Sequence, residues 1–385
     1  MRKKERMHKI YVVTMVILIT VTILQNLLAW LSTDYADWHR VHIFPFFQNI
    51  MTSFSNVFPF SLGELLLCMA AVFAMAMMIA GIAYFISRLN GISVKGYERF
   101  FKTAGFIIAG TAFVMTNNCF ILYHSTGLEG SYLNGASESE YDFETLAESR
   151  EFIVERVNAL AKEIERDEDG NPKFTGNMAD EAVKAMQNLG LQWNELLGQY
   201  SVPKPLLASE FMCQQSMRGY YFPFTMEANY NAEMTEINMP STMCHELAHT
   251  KGFIKEDEAN FIAYVACINS DNKFFQYSGY LSVLNYINND FKEACSECTG
   301  LYSSYTKISK QVKQDNVFML AKVEEKVEKN AIIPTKTVRA AAKSYVDITL
   351  AANGIPEGSV TYSKVVGLLI YSREAENVEM LAQAG

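Results

Sequence analysis

Three long apolar runs dominate the first third of the chain. Ile10 to Leu31 carries no charge over 22 positions, and Leu65 to Ile86 and Thr103 to Tyr123 are likewise uncharged. A helix rises 1.5 Å per residue and needs about 20 apolar residues to cross a hydrocarbon core. Each run therefore predicts a transmembrane helix, at about 10–31, 65–86 and 103–123. The first is too long for a signal-peptide core, and no small-residue cleavage site closes it, so it reads as a retained helix. Arg2, Lys3, Lys4, Arg6 and Lys9 precede it, and Arg88, Lys95, Arg99 and Lys102 separate the second run from the third. The loop from Ser32 to Ser61 has only Arg40. Basic residues favour the cytoplasmic side, which predicts a cytoplasmic N-terminus and an extracytoplasmic part after about His124. The aromatic residues of the first loop, Trp38, Phe44, Phe46, Phe54 and others, are expected along the outer interface.

Beyond the anchor the periodicity changes. Residues 125–142, rich in Gly, Ser, Asn and Glu, predict a linker. Helical spacing runs over Phe143 to Arg166 and Met178 to Leu197, with a turn between them at Asp167 to Gly176. Gly219-Tyr-Tyr-Phe-Pro-Phe-Thr alternates like a strand, and Pro223 assigns it to an edge or a strand end. From Pro240 helices return, the last at Thr335 to Ala352 and Tyr362 to Ala384. The expected fold class is mainly α with a small β-sheet: a membrane anchor over 1–124, the linker, and a domain over 143–385.

Charge sharpens this division. Residues 1–124 hold ten Lys/Arg against five Asp/Glu (+5), and residues 125–385 hold 23 against 37 (−14), which sum to −9. An acidic outer part excludes nucleic acid as the expected partner, since that affinity comes from basic surface. The cysteines form no framework: Cys213, Cys244 and Cys267 stand isolated. Cys295 and Cys298 make one CxxC, which a local disulfide or two free thiols account for better than a four-ligand zinc site.

The chemistry lies in His245-Glu-Leu-Ala-His249. Residues four apart share a helix face, so both imidazoles can hold one zinc ion. Glu246, one position on from His245, falls beside the metal and is placed to accept a proton from water as general base. The HExxH pattern arises by chance in roughly one such chain in a hundred. Pro240 and Ser241 suit the helix start, and Gly252 suits a left-handed cap that turns the chain back.

A third ligand is needed, and Lys255 stands where a histidine three residues beyond Gly252 would complete another common pattern. The segment Glu256-Asp-Glu-Ala-Asn-Phe offers carboxylates instead. A helix opening at Glu256 puts Glu256, Ala259, Asn260 and Ala263 on one face, so Glu256 is the expected ligand and Asn260 a partner for a ligand imidazole. Glu258 takes that role if the helix starts two residues later. The competing reading of this acidic cluster is simple N-terminal charge bias.

With these residues in view, the chain resembles a bacterial membrane family catalogued as domain of unknown function 3810. The resemblance is carried by His245-Glu-Leu-Ala-His, Gly252-Phe253, Glu256-Asp-Glu-Ala-Asn-Phe, Pro59-Phe-Ser-Leu-Gly-Glu, Gly219-Tyr-Tyr-Phe-Pro-Phe-Thr-Met-Glu-Ala and Tyr277-Ser-Gly-Tyr. It implies a three-helix anchor and a metallopeptidase-like domain, and supplies no substrate. Glu-x-x-Ala-Asn also resembles the third-ligand segment of gluzincin peptidases, although its spacing from the second histidine is shorter here. The expectation is a membrane-anchored zinc (Zn2+) hydrolase of the peptidase type with a zincin-like ectodomain. It would act on a peptide or protein of the cell envelope, with the lipid bilayer as its other partner. The alternative is a non-catalytic zinc-stabilised module, which would not need Glu246. A transporter is disfavoured, because the apolar runs carry no charge. Weaker expectations place His39 and His42 at the interface, Tyr277 or Tyr280 at an oxyanion, and the strand near Tyr220 along an extended peptide.

Overall fold

The computed structural model describes residues 2–128, 141–296, 300–355 and 364–373. Helices α1 (Arg2–Leu31), α4 (Leu62–Leu89) and α5 (Lys95–Met115) form the apolar part. α5 runs on through a π turn at Thr116–Phe120 and a 3-10 turn at Ile121–His124. Three stretches, Glu5–Leu31, Leu62–Leu89 and Lys95–His124, are long and apolar enough to cross a membrane. They exceed the uncharged runs because charged residues at the flanks continue the helices.

The first loop is more structured than its aromatic content suggests. It folds into α2 (Thr33–His42), capped by the Ser32 hydroxyl, and α3 (Phe44–Ser55), opened by Pro45. The two sides of α3 are both mixed, and Phe44 seats in the core. Gln48, Thr52 and Ser55 are buried against the protein, whereas Phe46, Ile50 and Phe54 are exposed. The Gln48 amide donates to Gln199 O, and the Asn56 amide just beyond α3 donates to Tyr200 O. His39 is not interfacial as expected: it is buried, with Nε2 3.1 Å from Asn117 Oδ1. His42 stays exposed and stacks on Trp38.

Of the expected linker, residues 129–140 lie outside the described residues. Leu128 is buried, and Thr126 N–H donates to Asp37 Oδ1. α6 (Phe143–Leu160), capped by Asp142, and α7 (Met178–Gly190), capped by Asn177, both stop earlier than their periodicity predicts. At Gly190 the chain folds back so closely that a Cβ would sit 3.0 Å from Leu196 O. Next come α8 (Ser209–Gln215) and the strands β1 (Lys204–Pro205), β2 (Gly219–Phe222) and β3 (Glu227–Tyr230). The sheet order is β1-β3-β2, with β3 parallel to β1 and antiparallel to β2. β2 is thus an edge strand and ends before Pro223, as its sequence predicts.

Eight further α-helices follow among the described residues. They are α9 (Met239–His249), α10 (Glu256–Ile268), α11 (Lys273–Ala294), α12 (Leu301–Ser304), α13 (Lys310–Asp315), α14 (Ala321–Asn330), α15 (Thr335–Ala352) and α16 over 364–373. The rest of the expected last helix, Tyr362 to Ala384, is outside the described residues. The core joins α6, α7, α9, α10 and α11 through Val157, Met186, Leu247, Phe261 and Leu284, all buried. Burying each such side chain is worth about 1.5–3 kcal/mol. This packing, more than helix propensity, holds α9 against α10.

A buried carboxylate ties the anchor to the sheet. Glu227 on β3, with no exposed surface, accepts from the Leu62 and Gly63 N–H groups at the start of α4, at 3.1 and 2.7 Å. It also accepts from Lys204 Nζ and Thr225 Oγ1, both at 2.6 Å. A charge in so dry a place is tolerable because every partner is a donor and one is a cation. Gly63 is required there, since a Cβ would fall 2.4 Å from the Phe222 ring. Glu64 then takes the Leu207 and Ala208 N–H groups ahead of α8.

Candidate metal centre

α9 begins with Pro240 in its first turn and ends at His249, and Gly252 follows at φ +89°. That left-handed turn lets Gly252 N–H reach His249 O and Phe253 N–H reach Ala248 O, closing the helix end. It also carries the Phe253 carbonyl to 2.7 Å from His249 Nδ1. That carbonyl fixes the ring so that Nε2 faces its neighbours. α10 then starts at Glu256, the register that favours this residue over Glu258.

The fold brings His245, His249 and Glu256 together, with one ligand atom from each within 4.8 Å of the others. His245 Nε2 lies 3.2 Å from Glu256 Oε2, and His249 Nε2 lies 3.8 Å from Glu256 Oε1. Two ligands held at about 2.0–2.1 Å by a tetrahedral zinc ion stand ~3.3 Å apart, so two imidazoles and a carboxylate at these separations fit that ion. The Asn260 side chain lies beside His245 and helps raise its pKa, while its buried Nδ2 has no hydrogen-bond partner. Ala259 and Ala263, fully or almost fully buried, let α10 approach α9. Glu258 points elsewhere: its carboxylate packs where a Cβ on Gly127 would stand.

The electrostatics follow from burial and mutual charge. Burial pulls His245 down, but Glu256, Glu246 and Asn260 raise it on balance. For Glu256 burial works upward, yet the hydrogen bond to His245 and the charge of both histidines hold it at about 2. His249 is lowered to about 4 by burial and by its histidine neighbour. Glu246 is pushed up to about 8 by burial, with Glu256 repelling it and His245 opposing. The nearby Tyr221 backbone also opposes the rise, and Oε2, buried, has no hydrogen-bond partner. A Cβ on Gly219 would come within 2.4 Å of Glu246 Oε1, so the bare backbone of β2 is what leaves room for this carboxylate.

These groups line one cavity of about 450 Å³, walled by β2, α9, α10, the end of α5 and α15. Three of its residues escaped the sequence reasoning: Arg218, Tyr286 and Tyr345. Among the described residues no carboxylate pairs with Arg218, whose charge is felt chiefly by Tyr286. Arg218 adjoins the Gly219-Tyr-Tyr motif, a signal that was available. Tyr286 and Tyr345 gave none. The expectation for Tyr277 and Tyr280 fails: the Tyr277 hydroxyl donates to Asp315 Oδ2, and Tyr280 packs against Phe152 and Tyr264 in the core. Cys244 and Cys267 are not isolated either. The close approach of α9 and α10 brings their sulfurs to 3.8 Å, behind the site.

No curated protein and no solved structure matches the chain. A family model described as a protein of unknown function, DUF3810, matches residues 40–370, and the chain belongs to that family.

Proposed function

We propose that this protein is a membrane-anchored, zinc-dependent hydrolase of the peptidase class, with a zincin-like outer domain. His245, His249 and Glu256 would hold the ion and Glu246 would act as general base. The observation that carries this reading is the grouping of three ligand atoms within 4.8 Å in a cavity that also holds an unpartnered, buried carboxylate oxygen on Glu246. Bound zinc supplies a Lewis acid that acidifies water and polarises a carbonyl. Glu246 Oε2 would accept a proton from a water whose oxygen bonds to the scissile carbonyl carbon, and would pass it to the departing amine nitrogen as the C–N bond breaks. The Phe253 carbonyl and Asn260 keep the two imidazoles oriented. β2, an edge strand along the cavity, offers backbone groups to an extended substrate. Arg218 supplies a cation for negative charge developing on the carbonyl oxygen. A purely structural zinc site would have no use for Glu246, which favours catalysis over the zinc-stabilised module. The Lys/Arg asymmetry supports an extracytoplasmic domain and a peptide or protein of the cell envelope as substrate.

The test is metal analysis of the full chain with hydrolysis of a randomised peptide pool followed by mass spectrometry. We expect about one zinc per chain and zinc-dependent cleavage. A chain that binds no zinc, or one whose cleavage survives chelation, overturns the reading.

A further inference from the structure

The cavity wall that faces away from α9 belongs to the anchor. Met115, Cys119, Phe120 and Tyr123, from α5 and the turns that extend it, line the same space as His245 and Glu246. The π turn at Thr116–Phe120 inserts an extra residue there, a distortion that often marks functional positions. α15 forms the opposite lip with Tyr345, Val346, Thr349 and Leu350. Its far end rests on the anchor: a Cβ on Gly354 would lie 3.3 Å from the Trp30 ring near the end of α1, and His124 packs on that ring at 4.5 Å.

The same region carries apolar side chains that are exposed among the described residues. On α15, Tyr345 is 65% and Ile348 69% exposed. On α8 and just before it, Phe211 is 51% and Leu207 89% exposed, and Glu64 in the first turn of α4 fixes this segment at the start of that helix. α3 turns Phe46, Ile50 and Phe54 outward and buries Gln48, Thr52 and Ser55 beside Phe44. Clustered exposed apolar residues of this kind mark an interaction site. These side chains continue the lipid-facing surface of α1, α4 and α5 at the ends where those helices meet the outer part.

We propose that α3, α8 and α15 rest on the bilayer surface and that the cavity opens there, so that its substrate is a polypeptide itself held in the membrane and cut close to where it leaves the lipid. The substrate half of this inference rests on the hydrolase reading. The placement of α15 does not.

The full chain in phosphatidylethanolamine–phosphatidylglycerol vesicles tests both halves. With Cys68 and Cys119 replaced by alanine, bimane is attached at Ile348→Cys, at Phe211→Cys, at Val72→Cys within α4, and at Asp169→Cys on an exposed turn. Lipids bearing a doxyl quencher near the headgroup should quench Ile348 and Phe211 at least half as strongly as Val72, and Asp169 much less. Quenching at Ile348 and Phe211 no greater than at Asp169 overturns the placement. Randomised peptides are then offered in three forms: free, palmitoylated through a spacer of about four residues (~14 Å extended), and palmitoylated through about fifteen (~50 Å). The short-spacer form should be cleaved at least as fast as the long one and about tenfold faster than the free peptide, the gain expected from a raised local concentration. Cleavage of the long-spacer form alone, or of the free peptide as fast as the short-spacer form, overturns the substrate class. Quenching as expected with no cleavage of any form overturns the hydrolase reading and leaves the placement standing.

Discussion

Gly219→Ala is the smallest perturbation that separates the base from the metal. The added methyl carbon would stand 2.4 Å from Glu246 Oε1, 2.7 Å from Cγ and 2.8 Å from Cδ. Ordinary carbon–oxygen contacts begin about 1 Å further out. The Glu246 side chain must therefore shift by roughly that amount, because β2 is held by its register with β3 from Gly219–Tyr230 to Phe222–Glu227. Overpacking of this kind costs about 1–3 kcal/mol in stability, a fall of a few degrees in the melting temperature of so large a chain. A displacement of ~1 Å at a reacting group costs about a hundredfold in rate. His245, His249 and Glu256 lie outside the added contacts, so zinc content should remain near one per chain. The assay pairs elemental analysis with initial rates on the best-cleaved peptide of the randomised pool. Wild-type rates in Gly219→Ala would refute the placement of Glu246 against β2. Loss of zinc together with activity would refute the separation of base from ligands.

Four further outcomes are expected. Glu246→Gln keeps the metal and lowers hydrolysis on the order of a thousandfold, beyond a typical proton-transfer contribution because the attacking water is also misplaced; cleavage at the wild-type rate would discard the mechanism. Glu256→Ala sharply lowers zinc content, whereas Glu258→Ala, which empties the space beside Gly127, lowers thermal stability and leaves zinc near one per chain; the opposite order in metal analysis would move the ligand to Glu258. Glu227→Gln leaves Lys204 buried without its counter-charge and destabilises the chain by about 3–5 kcal/mol, read as a lower melting temperature in detergent; an unchanged value would deny the network its role. A reporter fused after Gly385 is active only outside the cytoplasm, and a cytoplasmic signal would reverse the orientation.

The features of the candidate site that are legible in the sequence are local ones. The i, i+4 spacing of His245 and His249, the left-handed turn at Gly252 and the small-residue face of α10 that singles out Glu256 all depend on a few consecutive residues. Pro223 marked the end of β2 for the same reason. What stayed hidden was assembled over distance. Tyr345 reaches the cavity about a hundred residues after the motif, and Tyr286 reaches it from the middle of α11, so no periodicity announces either. Tyr277 and Tyr280 share helical spacing with core residues, and the core takes them. The aromatic residues of the Ser32–Ser61 loop mark its exposed side, whereas nothing in the sequence announces that Gln48, Thr52 and Asn56 decide how it docks. Helix α7 ends early at Gly190, where the chain folds back on Leu196, and no residue type marks the end of α6 at Leu160.

The Glu227 network changes what counts as a separable piece. A cut after residue 124, where hydropathy divides the chain, would remove the Leu62 and Gly63 amides from a fully buried carboxylate. It would also strip Arg40 from Glu195, and the Asn118 amide from the Pro223 carbonyl at the end of β2. The excised fragment would carry raw surface where the anchor had been, with desolvated polar groups left unanswered beside the strand that backs Glu246. An inactive or aggregated fragment would then report on the scissors rather than on the chemistry. Tests of the proposed hydrolysis belong to the intact chain in lipid or detergent.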